Sequence, residues 1–200
     1  MNPSPAQLQR IRDLSQQLSN ELADMQTLLS LPDVPLAQSP RMWWPTSFRP
    51  AHITQFFGEN YANYIKLGLP GHEGLDIRTG VDGKIICIAD GVVIRVDAWP
   101  NAGNYGYSIR VKHEALGLTS VYCHLNPSVL VPPVGTELRA GAIIGKAGST
   151  GNSTAIHLHL TIKDDHGRMV DPLSILADAY HEAGGMQSLP DVKTPMVLKA

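Results

Sequence analysis

Beyond residue 70 the chain breaks into short β-rich runs separated by turn residues, with no helical segment alternating between them, and this constrains the fold more than any other feature. The runs cover 85–89, 92–97, 108–113, 119–124, 142–146 and 155–162. Asp90-Gly91 joins the first two as a hairpin turn, because Gly tolerates positive φ without steric cost. A parallel sheet would need crossover helices, and the pattern has none. The expected fold is therefore mainly β, an antiparallel sandwich or partly open barrel. A short helix is expected over 171–180.

The N-terminal stretch obeys a different rule. From 6 to 30, Leu8, Ile11, Leu18, Leu22, Met25 and Leu29 fall on a seven-residue repeat that only Ser15 interrupts, with Pro5 and Pro32 outside it. That spacing predicts an amphipathic α-helix that pairs with another helix, in a second copy or a partner, or packs back on its own domain. Five prolines between 32 and 50 read as an extended connector. The expected organisation is a helix over 1–31, a connector over 32–50, a β domain over 51–176 and a tail over 177–200.

Composition narrows the class of function. Two hundred residues, 43% hydrophobic and 17% charged, suit one well-cored domain with an appendage. The formal charge of −2, with lysines and arginines scattered singly, gives no field for phosphates, so nucleic acid is excluded as a partner. No run approaches the ~18 apolar residues of a membrane span, and the first thirty residues lack the ordered regions of a signal peptide. Cys87 and Cys123 sit in apolar strand-like runs and read as buried free thiols.

Half of the eight histidines fall in three clusters: Gly71-His72-Glu73-Gly74-Leu75-Asp76, Val121-Tyr122-Cys123-His124-Leu125 and Ile156-His157-Leu158-His159-Leu160. Strand alternation in the third projects both imidazoles from one face, where they can converge on one small object. His72 and Asp76 are four apart, but Pro70, Gly71 and Gly74 oppose a helix, so a loop entering a strand is expected. The helical HExxH zinc motif is thereby excluded, and Glu73 reads as a solvated loop residue. A catalytic zinc site takes three protein ligands of the His/Asp/Glu type and leaves a position open. His72, Asp76 and one of the two strand histidines make such a set. The remaining strand histidine and His124 are then free for proton transfer near neutral pH. His52, His113, His166 and His181 have no companion at ligand spacing and are expected to be non-ligands. The segment 148–153, Gly-Ser-Thr-Gly-Asn-Ser, lacks the Lys of a phosphate loop and reads as a turn.

In order and residue type the three clusters resemble the lysostaphin/LytM family of zinc endopeptidases, whose pattern is HxxxD, then Tyr-x-His-Leu, then HxH. The similarity runs over roughly 53–173, through segments such as Gly103-Asn104-Tyr105-Gly106 and Val170-Asp171-Pro172. The resemblance implies that His72, Asp76 and His159 bind one Zn²⁺ per chain and that His124 and His157 are the catalytic histidines. It also implies a substrate among the peptides of bacterial peptidoglycan, and action at the bacterial cell wall by a route left open. Two alternatives stand beside it: a non-catalytic regulator of wall hydrolases, and a structural component of a phage particle, since segment 53–71 resembles phage- and prophage-associated members of the family.

Overall fold

The computed structural model describes residues 7, 9–10, 12–20 and 41–191. The chain divides into two units, Met1–Pro40 and Arg41–Ala200. In the first, residues 12–20 form a helix, α1, whose Leu14 and Leu18 are exposed. Of the apolar heptad positions only Leu18 is among the described residues; Leu8, Ile11, Leu22, Met25 and Leu29, and the connector up to residue 40, lie outside them.

The second unit is the expected antiparallel β domain. Its elements are β1 (Ile53–Gln55), α2 (Tyr61–Tyr64), β2 (Leu75–Ile77), β3 (Lys84–Ile86), β4 (Gly91–Asp97), β5 (Ser108–His113), β6 (Leu118–Cys123), β7 (Glu137–Leu138), β8 (Ile143–Lys146), β9 (Leu158–Asp164), β10 (Met169–Val170) and α3 (Leu173–Glu182). The main sheet is open and runs β1-β2-β9-β6-β5-β4-β7, with β10 on β9, while β3 and β8 form a separate ribbon. Every pairing is antiparallel.

The alternation in β9 sets the two faces of this sheet. Leu158, Leu160 and Ile162 enter the core with Leu75, Ile77, Ile109, Val111 and Tyr122, leaving His159, Thr161 and Lys163 on the opposite face. In the register of β2 on β9, Asp76 stands opposite His159, and in β6 on β9 Cys123 does so from the other side. Cys87 and Cys123 are both buried free thiols. Among the described residues no helix is long and apolar enough to cross a membrane.

The packed body exceeds the 51–176 span expected from sequence. Trp44 is buried against Tyr180, Trp43 N–H donates to the Ile88 carbonyl, and Ile86 N–H donates to that of Pro45. At the other end Ala179, Tyr180 and Ala183 are buried, and the Gln187 amide bonds the backbone of Ile53. Proline frequency pointed to a connector over 32–50, whereas two tryptophans, Trp43 and Trp44, in its second half supply apolar surface worth burying. The segment assigned to the tail carries its apolar residues on one side of α3.

Candidate metal centre

His72 and Asp76 flank the entry to β2, and the segment between them has little freedom. A Cβ on Gly74 would lie 2.2 Å from the Leu160 carbonyl oxygen, so only glycine lets the loop close onto β9. Across that contact His72 Nε2 stands 3.0 Å from His159 Nδ1 and 3.2 Å from Asp76 Oδ1, and His159 Nδ1 stands 2.8 Å from Asp76 Oδ1. His157, one residue before β9 begins, brings its Nε2 to 3.5 Å from the same oxygen. His124 follows β6 in a left-handed conformation, φ 59°, which turns its ring out of the strand's alternation to 5.0 Å from the His157 ring. All five residues predicted from sequence line one cleft of about 270 Å³, together with Gln55, Tyr64, Glu73, Tyr105, Asn104 and Asn152.

Each imidazole is tied from behind. His72 Nδ1–H donates to the Phe56 carbonyl, His124 Nδ1–H to that of Thr150 and His157 Nδ1–H to that of Ala155. Since a carbonyl only accepts, these bonds fix the tautomer and leave each Nε2 with its lone pair toward the cleft. His159 is held the opposite way round, its Nε2 2.9 Å from the Thr161 hydroxyl and its Nδ1 inward. Thr150, in the segment read as a turn, also accepts Tyr107 N–H and donates to the Leu125 carbonyl, which locks the strap behind His124.

This donor chemistry tests whether a metal fits. Two inward imidazole nitrogens and a carboxylate oxygen lie about 3 Å apart, an arrangement that needs a proton or a cation among them. His72, Asp76 and His159 are a three-ligand set of the kind that borderline cations take, with outer hydrogen bonds orienting the ligands. Burial works against the Asp76 charge, yet a proton carried on the inward nitrogen of His157, His159 or His72 would bond the carboxylate, and this holds its carboxyl well below the usual range. His124 is pushed down to about 4, mainly by burial and then by the neighbouring His159. For His157 burial is outweighed by the Asp76 carboxylate and the Ala155 carbonyl, which raise it.

Comparison with known proteins decides the family. Residues 70–172, more than half of the chain, match the family described as peptidase family M23. The chain belongs to that family. M23 membership implies a metal ion, and the His-Asp-His cluster lies inside the matched span. Glycyl-glycine endopeptidase ALE-1 of Staphylococcus capitis is 32% identical over 136 residues, 66% of this chain and 36% of the relative. The DD-carboxypeptidase/endopeptidase Mpg of Neisseria gonorrhoeae is 34% identical over 104 residues, 52% of this chain and 22% of the relative. The chain thus spans about a third or less of the length of these curated relatives. Among solved M23-like structures, lysostaphin from Staphylococcus simulans superposes with a TM-score of 0.58 at 25% identity, covering 76% of this chain and 60% of that one. A zinc-containing peptidase from Vibrio cholerae shares the fold, with a TM-score of 0.55 at 23% identity over 76% of this chain and 41% of that one.

Glu73 and Tyr64 in the cleft, and Thr161 behind His159, escaped the reading of the sequence. Glu73, expected in solvent, is half-buried and accepts a hydrogen bond from Tyr105 Oη at 3.2 Å. Burial raises its carboxyl above the ordinary range, against the lowering effect of Tyr105 and Lys163. Tyr64 comes from α2, a four-residue helix too short to leave a periodicity, and its ring lies 5.5 Å from that of His72. Thr161 continues the His157, His159 alternation and was legible in principle. His113 is buried, but its Nδ1 meets the Asp90 carbonyl at 2.8 Å and its Nε2 the Ser120 hydroxyl at 2.7 Å, so it joins the core rather than the cleft.

Proposed function

We propose that this protein is a zinc-dependent endopeptidase that hydrolyses peptide bonds in bacterial peptidoglycan, with His72, Asp76 and His159 holding the zinc. The observation that carries the reading is the convergence of these three with two further imidazoles in one cleft of an M23 chain, with His72, His124 and His157 each tied to a carbonyl so that a lone pair faces inward. Zinc held there would polarise a substrate carbonyl and bring the pKa of water toward ~7.

The remaining groups handle protons and orientation. His124, pushed down to about 4, is neutral at pH 7 and can accept a proton at Nε2. His157 presents its own Nε2 on the same side of the cleft and can return a proton to the leaving amine. Tyr105 has its hydroxyl proton committed to Glu73, whereas Tyr64 receives the Gln55 amide at 3.5 Å and has no acceptor for its own proton among the described residues. Tyr64 is therefore placed to donate to the oxygen on which charge develops.

The test is digestion of purified peptidoglycan by the zinc-loaded chain, with products resolved by mass spectrometry. New amine and carboxyl termini, abolished by a chelator and restored by zinc, are expected. Unchanged wall material under zinc-replete conditions would remove the peptidase reading.

A further inference from the structure

Glu73 is a carboxylate without a cation. It lies between His72 and Asp76 on a loop that Gly74 clamps to β9, so its position is fixed by backbone rather than by its own rotamer preferences. Tyr105 Oη donates to Oε2, and no other hydrogen bond and no ion pair among the described residues reaches the carboxylate. Lys163 acts on it only from beyond ion-pair distance. Glu73 lines the cleft together with Tyr105, Asn104 and the histidines. The far end of the cleft is different. Past Gln55, Tyr64 and Asn152 it continues into a hollow of about 230 Å³ that adds only Asn60 and Asn63, all neutral hydrogen-bonding groups suited to peptide amides.

A half-buried carboxylate gains most from a charged partner that is itself shielded from water. One oxygen is already occupied by Tyr105, so the fork of a guanidinium, which needs both, finds half a site. A compact ammonium needs only one oxygen and leaves its other donors to Asn104 and to water. Resting on the peptidase reading above, we propose that Glu73 is a specificity-determining residue that binds a primary ammonium group of the substrate, close to the bond that is cut. Two sources supply that chemistry: the side chain of a diamino-acid residue, or the free α-amine of a peptide branch.

Two peptide pairs separate the sources: one with lysine against Nε-acetyl-lysine, the other with a free against an acetylated α-amine. Binding is measured by calorimetry on the chelator-treated full chain, and kcat/KM on the zinc-loaded one. The free-amine member of one pair is expected to bind about tenfold more tightly, the size of one charge-assisted hydrogen bond. That preference should fall toward one in Glu73→Gln, with zinc content unchanged. Which pair shows it names the source. Equal binding within both pairs, or a preference that survives Glu73→Gln, would overturn the proposal. So would loss of zinc from Glu73→Gln with the preference intact, which would assign the carboxylate to the metal's charge balance. Binding preference without any cleavage would support the ammonium site and count against the peptidase activity instead.

Discussion

Single imidazoles in this cleft differ in what their loss removes. His159 meets Asp76 and His72 at 2.8 Å and 3.0 Å, while His124 touches neither by hydrogen bond and is held by the Thr150 carbonyl. His159→Ala is therefore expected to abolish most zinc binding, and His124→Ala to keep zinc and fold while turnover drops roughly 10²-fold or more. Metal analysis beside steady-state kinetics checks both, and zinc retained by His159→Ala would refute the ligand set. His113 answers a different question. Burial lowers its pKa below the ordinary value, partly offset by the Asp90 carbonyl, so near pH 6 the unfolded chain binds a proton that the folded one does not. Its stabilising contribution is complete above the unfolded value near 6.5 and is lost as pH falls through the lower folded value. Denaturant midpoints at pH 7.5 and 5.5 should fall less in His113→Gln than in the parent. An equal drop in both would show that His113 does not drive the dependence. Residue types and spacing exposed His72, Asp76, His124, His157 and His159 as a group, because each is chemically distinctive. Glu73 was misjudged because its burial depends on Tyr105, thirty-two positions away, which no local pattern reveals.

Between the residue and the molecule stands the β2–β9 pair, which aligns Asp76 with His159 across a contact that only Gly74 permits. An added methyl at 2.2 Å from backbone oxygen has no flexible side chain to displace, so the strands must separate. Gly74→Ala should destabilise the domain by about 2–3 kcal/mol and weaken zinc retention against a chelator. A variant that melts and holds zinc as the parent does would show that the loop, not the strand pairing, sets the site. The long elements were legible: 108–113 coincides with β5, and 92–97 and 119–124 fall within a residue of β4 and β6. The two- to four-residue elements β1, α2, β7 and β10 were not, since a segment that short completes too few repeats for periodicity to show.

For the whole chain the question is where the independently stable body begins. Proline frequency suggested residue 51, yet residues 42–46 lie along the edge of the β3–β8 ribbon, with Thr46 bridging Ile85 and Trp44 buried at 2% exposure. Trp44 packs on Tyr180 of α3 with ring centroids 5.1 Å apart, an aromatic pair that helps to join the two ends of the domain. A chain starting at 41 should therefore unfold with the same midpoint as the full protein, retain its zinc and cleave the same soluble peptide. A chain starting at 45 removes that tryptophan and should lose about 3–5 kcal/mol, the usual cost of deleting a large buried aromatic. The same proteins examine the helix over 6–30. Leu18, the stripe leucine among the described residues, is exposed on α1, and an exposed apolar heptad position favours pairing with a second copy. Light scattering should then give a higher mass per chain for the full protein than for residues 41–200. Equal monomeric masses, with a lower midpoint for the shorter chain, would instead assign the helix to stabilising its own domain.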